Sequence, residues 1–458
     1  MISLLRAVLV LSAVLQLIEG KAFARDNKTP GIMRLAVTAK TVDRSLRKRQ
    51  LPEALLNDAK GFQYVIQFKI GNPAQNVVAA IDTASPETWV LPAYRAGDRP
   101  NSASTCRSHD GYDHAKSTTQ SWSLFYGTGN VTGEFWTDDL HLGGATIKAQ
   151  QSAVSDYSTS GLDGIGVMGL SYGLPMGTTY PAIVDQLVAQ NITQSRAFSL
   201  DFRSVDTSED NLSKYSKAKG TRMRSSIIFG GIDTKRFYGK LMKHAIISSA
   251  DEVDEFPLFV LPILCNYSWL ISDSKIPRYW INMTSLSPTL PPETSTHKPA
   301  APKVIFDKTI TAFLDSGTTL SYLPRSIVRR VAAAFPGAKS DGNGNYIVPC
   351  SVANQTGFMD FGFGEQIIRV PWKELVWFAG PGLCHMGLAE SDGVSNMLGG
   401  TFLRAAYVVF DQDNNNLHLA QAADCGSNLV AIGRGKNAVP DVIGDCPSPS
   451  YSNHSPGV

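Results

Sequence analysis

Short apolar segments separated by turn residues dominate the chain from Phe62 onward. Tyr64–Ile70 is rich in apolar and β-branched residues, Gly71–Pro73 has the composition of a tight turn, and Val77–Ile81 resumes the apolar run. Strand-like and turn-like segments continue to alternate to about Leu419. This pattern predicts a protein of the all-β class.

Helices are predicted to be minor elements. Pro181–Gln190 and Ser326–Ala334 carry apolar residues at helical spacing. Ser204–Arg224 is polar and charged, and Ser285–Lys303 is rich in proline, so both are predicted to be surface loops. The chain after Cys425 is also polar and lacks the terminal apolar run of a lipid-anchor signal.

The N-terminus has the composition of a secretory signal peptide. Arg6 precedes the apolar run Ala7–Ile18, and Gly20 is a small residue at a plausible cleavage point. The apolar run has 12 residues, whereas a membrane-spanning helix needs about 20. We therefore predict a signal peptide at 1–20 and a protein secreted outside the cell rather than kept in a vacuole, with no membrane anchor in its mature form.

A strongly basic segment follows the predicted signal. Lys21–Gln50 contains nine Lys or Arg against two Asp and ends in Arg47-Lys48-Arg49, whereas residues 51–458 carry a net charge of −5. We interpret 21–49 as a propeptide that charge holds on the acidic body and that a dibasic-cleaving protease releases. The alternative is a basic tail for nucleic acid or a membrane surface. The preceding signal disfavours it, so we expect no nucleic-acid partner.

The cysteines and the asparagines fit an oxidising, extracellular compartment. The chain has six cysteines, and an even number predicts disulfides, although spacing alone leaves about 15 pairing schemes. No Cys-x-x-Cys or His-paired spacing occurs, so we predict neither a metal site nor a cofactor. The candidate glycosylation sites, each in an Asn-x-Ser/Thr sequence of the body, are Asn130, Asn191, Asn211, Asn266, Asn282, Asn354 and Asn453.

A weak internal repeat contains two aspartates. Asp82-Thr83-Ala84-Ser85 ends an apolar run and precedes Gly169 by 87 residues, counted from Asp82; Asp315-Ser316-Gly317-Thr318 ends another run, and Asp315 precedes Gly399 by 84 residues. An Asp after a strand is more often a turn former or a helix cap. Two units related by a two-fold axis, however, would bring both carboxylates face to face.

Paired carboxylates can hydrolyse an amide without a metal or a covalent intermediate. Two close like charges do not both ionise easily, so the pair shares one proton. The ionised carboxylate then deprotonates a bound water, while the protonated one donates to the substrate carbonyl oxygen. Asp82 and Asp315 are therefore the candidate catalytic pair.

From about Phe62 to Ala422 the sequence resembles the pepsin-like aspartic proteases, with the fungal yapsin-like branch as a candidate closer relative. The segments that carry the resemblance are Ile81–Val90, Tyr126–Gly129, Asp163–Ile165, Phe229–Asp233, Phe313–Pro324 and Met397–Phe402. The resemblance implies a bilobal all-β fold with two pseudo-two-fold-related lobes, an N-terminal lobe at 62–240 and a C-terminal lobe at 241–425. It also implies a cleft between the lobes for polypeptide substrates. We expect a monomer with a polar tail at 426–458.

The resemblance also assigns roles to residues around the pair. Thr83 and Ser316 would brace the aspartates, Ser85 and Thr318 would bond their outer oxygens, and Tyr126 in the flap hairpin would lean over the bound peptide. The residues implied to line the cleft are Tyr126, Gly127, Thr128, Ile165, Gly317, Thr318 and Thr319. The implied family disulfide is Cys350–Cys384; proximity in sequence suggests Cys425–Cys446, which leaves Cys106–Cys265.

Three positions depart from the family pattern or modify it. Ala84 replaces a glycine of the first aspartate segment, Gly400 stands where an acidic residue is common, and Asn130 adds a sequon beside the flap tip. Ala84 is the one feature that favours an alternative, a catalytically inactive binding protein of the same fold. A glycosidase with paired carboxylates is a second alternative, which the flap segment argues against.

Overall fold

The structure is a computed structural model of the 458-residue chain. It describes residues 31–41, 62–92, 120–126, 129–158, 165–174, 176–203, 225–247, 278–289, 304–380, 382–391 and 395–448. The predicted features that lie outside the described residues are the signal peptide 1–20, most of the leader, the surface loop Ser204–Arg224, Gly127, Thr128, Cys106, Cys265, Asn211, Asn266 and Asn453.

Strands make up most of the described chain. The strands up to residue 247 are β1 (Met33–Thr41), β2 (Phe62–Ile70), β3 (Gln75–Asp82), β4 (Trp89–Val90), β5 (Ser121–Tyr126), β6 (Gly129–Leu142), β7 (Ala145–Ser158), β8 (Gly166–Gly169), β9 (Ala197–Asp201), β10 (Ser225–Phe229), β11 (Gly231–Asp233) and β12 (Phe237–Ala245). The strands from residue 278 are β13 (Trp280–Met283), β14 (Ser285–Thr289), β15 (Ile310–Leu314), β16 (Ser321–Leu323), β17 (Lys339–Ser340), β18 (Tyr346–Val348), β19 (Phe358–Phe363), β20 (Gln366–Pro371), β21 (Val376–Gly380), β22 (Leu383–Met386), β23 (Leu388–Glu390), β24 (Met397–Leu398), β25 (Ala406–Asp411), β26 (Asn416–Ala422), β27 (Leu429–Ala431) and β28 (Ile443–Asp445).

The helices are few and short, which confirms the predicted mainly-β class. They are α1 (Ile183–Ala189), α2 (Arg325–Ala334), α3 (Trp372–Leu375), α4 (Gly400–Leu403) and the 3-10 turns Thr234–Arg236 and Cys350–Asn354. The helices α1 and α2 confirm the two helices predicted at Pro181–Gln190 and Ser326–Ala334. Within the described ranges, no helix is long and apolar enough to cross a membrane.

The two aspartates lie in matching strand arrangements, which gives the sequence repeat a structural meaning. In the first, β3 pairs in parallel with β8, β8 runs antiparallel to β4, and β4 is parallel to β7. In the second, β15 pairs in parallel with β24, β24 runs antiparallel to β16, and β16 is parallel to β23. The repeated glycine-bearing segments thus form the strand beside each aspartate.

One sheet joins the two halves of the chain. Fourteen strands follow in the order β28-β12-β26-β25-β9-β10-β1-β2-β3-β8-β4-β7-β6-β5, so β9 and β10 of the first half lie beside β25 and β26 of the second. Phe198 in β9 stacks on Phe410 in β25, with ring centroids 4.7 Å apart. The predicted lobe boundary at residue 240 falls within β12, a strand of this sheet.

Strand β1 lies in the middle of that sheet, although it belongs to the segment interpreted as a propeptide. Its first part pairs with β10 and its second part with β2. Met33, Leu35 and Val37 are buried at 1–4% exposure and belong to the main core. Arg34, between Met33 and Leu35, forms an ion pair with Asp233 at 2.6 Å. Sheet pairing and core packing, and not surface charge alone, hold this part of the leader.

The surface loop predicted for Ser285–Lys303 is wrong over its first five residues. Ser285–Thr289 forms β14, which pairs with β19, and Leu286 is fully buried. The proline count suggested a loop, but β14 is an edge strand of a three-stranded sheet, where Pro288 is tolerated. Residues 290–303 lie outside the described ranges.

The described part of the predicted tail folds against the body. Leu429–Ala431 pairs with β11, and Ile443–Asp445 pairs with β12. Ile432 and Val439 are buried in a second core cluster. The disulfide Cys425–Cys446 ties this segment to itself, and the described residues also contain the disulfide Cys350–Cys384. These are the pairings that the sequence analysis suggested for those four cysteines.

Candidate active site

Asp82 and Asp315 stand at the ends of buried strands. Asp82 is the last residue of β3, and Asp315 directly follows β15. The neighbouring strand of each unit fixes the backbone, because Leu170 N donates to Asp82 O at 2.7 Å and Asp315 N donates to Leu398 O at 3.1 Å. Both aspartates are buried, with 6% of each residue exposed.

Thr83 and Ser316 connect the two units through four reciprocal hydrogen bonds. Thr83 N donates to Ser316 Oγ, and Ser316 N donates to Thr83 Oγ1, both at 3.0 Å. Thr83 Oγ1 in turn donates to Leu314 O at 2.8 Å, and Ser316 Oγ donates to Ile81 O at 2.7 Å. Because each hydroxyl is both acceptor and donor, the backbones that carry the aspartates are locked to each other.

Each carboxylate accepts the same two local hydrogen bonds. Ala84 N donates to Asp82 Oδ1 and Gly317 N donates to Asp315 Oδ1, both at 2.8 Å. The hydroxyl of Ser85 bonds Asp82 Oδ2, and Thr318 Oγ1 donates to Asp315 Oδ2 at 2.6 Å. These bonds orient the carboxyl groups and leave the Oδ1 atoms of the two residues facing a common space.

Gly317 shows how close the two carboxylates are. A Cβ atom placed there would lie 3.0 Å from Asp82 Oδ1 and 3.3 Å from Asp315 Oδ1. One methyl-sized volume therefore reaches both Oδ1 atoms. The two carboxyl groups are therefore close enough to face each other.

The electrostatics favour one proton held by the pair. Burial first, and then the negative charge of Asp315, raise the pKa of Asp82 to about 7. Burial also raises the pKa of Asp315, while the hydrogen bonds from Thr318 and Gly317 and the charge of Arg278 act in the opposite direction. The two groups titrate as a pair, and the pair keeps a proton in acidic solution.

The flap hairpin is formed by β5 and β6, with Tyr126 opposite Gly129. Tyr126 accepts a hydrogen bond from Trp89 Nε1 at 2.6 Å, and Trp89 itself is fully buried. Burial and the nearby Asp82 charge raise the pKa of Tyr126 well above its usual value, so its hydroxyl stays neutral. Trp122 packs with these residues in one aromatic cluster.

Glu87 is a buried residue of the site region that the sequence analysis missed. It lies between Asp82 and Trp89 in sequence, is 8% exposed, and accepts a hydrogen bond from the hydroxyl of Tyr180. Burial raises the pKa of Glu87 to about 7. An acidic residue two positions before the tryptophan of the first aspartate segment was the available signal, but its partner lies 93 residues away in sequence.

The remaining residues predicted to line the cleft or to carry glycans lie at different positions in the fold. Ile165 is buried against Val65 and Ala80, and Thr319 is half-buried with its carbonyl bonded to Thr401 N. The sequon asparagines in the described ranges whose side chains are exposed are Asn191, Asn282 and Asn354. For Asn130 the structure gives the backbone, which pairs with Phe125 in the flap. Among the residues that the structure describes, no cluster of His, Cys, Asp or Glu could hold a metal ion.

Two buried carboxylates at equivalent ends of a duplicated strand unit, with a flap aromatic beside them, define the aspartic protease class. A profile described as eukaryotic aspartyl protease matches residues 63–256 and 279–422. The chain belongs to this family, which confirms the resemblance.

Relatives and a solved structure agree with this assignment. The probable aspartic-type endopeptidase opsB of Aspergillus oryzae is 28% identical over 424 residues, which span 87% of this chain and 77% of that protein. Secreted aspartic protease 7 of Candida albicans is 29% identical over 391 residues, 79% of this chain and 60% of that protein. The crystal structure of an aspartic proteinase from Irpex lacteus covers 79% of this chain and 94% of its own, with a TM-score of 0.56 and 21% identity, which supports the fold.

Proposed function

We propose that this protein is a secreted endopeptidase that hydrolyses peptide bonds with a water activated between Asp82 and Asp315. The observation that carries the proposal is the matched set of hydrogen bonds around two buried carboxyl groups whose Oδ1 atoms both lie close to Gly317. Such an arrangement fits simultaneous proton transfer to and from one water and one carbonyl.

The residues divide the reaction between them. The ionised carboxylate takes a proton from the water, which attacks the scissile carbonyl carbon, while the protonated carboxyl donates to the carbonyl oxygen. The resulting tetrahedral intermediate loses its amine after the nitrogen is protonated by the pair. The Ser85 and Thr318 hydroxyls and the Ala84 and Gly317 amides keep both carboxyl groups oriented through these steps.

The substrate is proposed to be an extended polypeptide that lies beneath the flap. The packing of Trp89, Trp122 and Tyr126 supports this placement. These aromatic side chains anchor the flap hairpin close to Asp82. A flap closed on a peptide would exclude water from the reacting atoms.

Secretion and processing belong to the same proposal. They rest on the signal-like N-terminus, the dibasic run at 47–49 and the name of the relative called secreted aspartic protease 7. The position of β1 adds to the propeptide hypothesis, because the leader would be bound through a strand of the central sheet. The proposed lobes, 62–240 and 241–425, would flank the pair.

The experiment is digestion of a denatured protein between about pH 3 and 6.5, where one shared proton should persist. We expect cleavage by the wild type, inhibition by a statine-type compound, and loss of at least about 100-fold in turnover for Asp82→Asn and Asp315→Asn. Asp139→Asn is the matched control, since Asp139 on β6 pairs with the exposed Lys148 on β7. If the wild type cleaves nothing in this range while it still binds the inhibitor, the inactive binding protein is correct instead.

A further inference from the structure

Two aromatic side chains share the face of the second aspartate unit that turns away from the main core. Phe313 in β15 and Trp280 in β13 are paired across the two strands, and their rings lie 5.0 Å apart in an edge-to-face contact. Their neighbours along each strand, among them Leu314 and Ile281, belong to the main core. Because side chains alternate across a strand, Asp315, two residues after Phe313, continues on the Phe313 side.

Arg278 covers one of these rings. Its guanidinium carbon lies over Phe313, 4.6 Å from the ring centroid, which is the geometry of a cation–π interaction. Arg278 is half-buried and lies just ahead of β13, where Trp280 N donates to its carbonyl oxygen at 3.0 Å. Phe313 and Trp280 are almost fully buried. The arginine, and not the rings, therefore meets the solvent on this face.

The position of Arg278 puts a positive charge near both carboxyl groups. Burial raises the pKa of Asp82 and the pKa of Asp315, and the charge of Arg278 acts in the opposite direction on both. Interactions between charges weaken with distance. A cation that acts on both aspartates is thus close to the place where the proposed substrate would lie.

The matching face of the first aspartate unit is aliphatic. Ala80 precedes Asp82 by two residues, at the position equivalent to Phe313, and it pairs with Val65 of β2. Ala80, Val65 and Ile165 pack together in a small cluster. The two units therefore differ in what they would present to a substrate on the two sides of the scissile bond, with aliphatic groups in the first unit and an arginine over an aromatic ring in the second.

We propose that Arg278 is a specificity-determining residue that binds an acidic side chain of the substrate on the Asp315 side of the scissile bond. A guanidinium can rest its face on a ring while its N–H groups donate in their own plane, so one side chain can contact Phe313 and bond both oxygens of a carboxylate. The arginine also offsets the repulsion between an acidic substrate residue and the negative charge of the catalytic pair. The inference rests on the proposed function, since it assumes that the pair cleaves peptides.

The test compares kcat/KM for peptides that carry Glu or Gln, one position at a time, within about three residues of the scissile bond, at about pH 5.5, where a peptide glutamate is ionised. We expect the wild type to cleave a Glu peptide at least about tenfold faster than its Gln counterpart when the residue lies on one side of the bond, and not when it lies on the other. The ratio should fall to about one or below in Arg278→Gln, and Arg278→Lys should restore part of it. Inhibitor titration of the active fraction corrects each variant for misfolded protein.

Arg369→Gln is the matched control, because Arg369 also lies over a phenylalanine ring, that of Phe358 at 5.4 Å, but on β20 in a different sheet. Its Glu/Gln ratio should equal that of the wild type. An active wild type without a preference for Glu at any position, or an Arg278→Gln variant that changes kcat/KM equally for all peptides, would overturn the inference alone. A wild type that cleaves none of the peptides would overturn the proposed function.

Discussion

Thr83 Oγ1 and Ser316 N lie 3.0 Å apart across the junction of the two strand units, and Ser316 Oγ and Thr83 N lie the same distance apart. Each hydroxyl also donates to the carbonyl that precedes the opposite aspartate by one residue. The spacing between the carboxyl groups is therefore fixed by main-chain atoms and two short side chains, which lose little conformational entropy when they are ordered.

Removing one of these hydroxyls should weaken the whole junction. In Thr83→Val the isosteric side chain leaves Ser316 N without its acceptor and Leu314 O without its donor, both in a buried region. We expect the free energy of unfolding in urea to fall by about 2–4 kcal/mol. Thr83→Ser, which keeps the hydroxyl, is the control and should retain most of the stability. A valine variant within about 0.5 kcal/mol of the wild type would contradict the bracing role.

The flap tyrosine should act on rate more than on stability. Tyr126→Phe removes the acceptor for Trp89 Nε1, so the flap loses one fixed contact with its base. We expect kcat/KM to fall about tenfold, which corresponds to roughly one lost hydrogen bond in the closed state. Tyr346→Phe is the matched control, because it breaks a buried bond to Glu390 in a different sheet. Its kcat/KM should match that of the wild type; equal losses in both variants would argue against a specific role for Tyr126.

Contacts between residues close in sequence could be predicted, whereas contacts between residues far apart in sequence could not. The bonds from Ser85 to Asp82 and from Thr318 to Asp315 span three residues, so a short motif is enough to predict them. Glu87 and Tyr180 are 93 residues apart, and no local pattern reveals their contact. A pairing of that kind depends on the folded topology.

The strand β1 within the leader was not predicted, for a different reason. The nine basic residues of the leader suggested attachment by charge, yet Met33, Leu35 and Val37 repeat with period two, the signal of a half-buried strand. That signal was outweighed by the lysines and arginines within and around the strand. The edge strand β14 was missed similarly, since prolines outweighed the buried Leu286.

Glu87 should make the protein less stable as the pH rises toward neutrality. Burial raises its pKa from 4.5 to about 7, so the folded state holds this proton more tightly than the unfolded chain does. The resulting stabilisation is complete below about pH 4.5 and is lost as the pH rises through 7, with a total on the order of 3 kcal/mol.

Glu87→Gln tests this, because the amide can still accept from the Tyr180 hydroxyl but does not ionise. We expect the variant to unfold at higher urea concentration than the wild type at pH 8 and at a similar concentration at pH 4. Glu365→Gln, at an exposed position, should show no such pH-dependent difference. If the free energy of unfolding of Glu87→Gln and of the wild type changes with pH in the same way, ionisation of Glu87 does not affect stability.

Arg34 tests whether β1 is part of the stable fold. Its guanidinium donates to Asp233 Oδ2 and to Ser427 Oγ, both at 2.6 Å, and the Asp233 side chain is fully buried. Arg34→Ala leaves that carboxylate with Arg236 at 3.6 Å and with the bonds from Ser427 Oγ, Asn428 N and Lys235 N, so we expect a loss of about 2 kcal/mol in the unfolding free energy of the full chain. Lys148→Ala is the control, since its ion pair with Asp139 is exposed and should contribute less than about 1 kcal/mol. Equal small effects of both substitutions would mean that β1 is a loosely bound part of the leader, whereas a large effect of Arg34→Ala alone would make residues 33–41 a structural strand that any processing of the leader has to retain or replace.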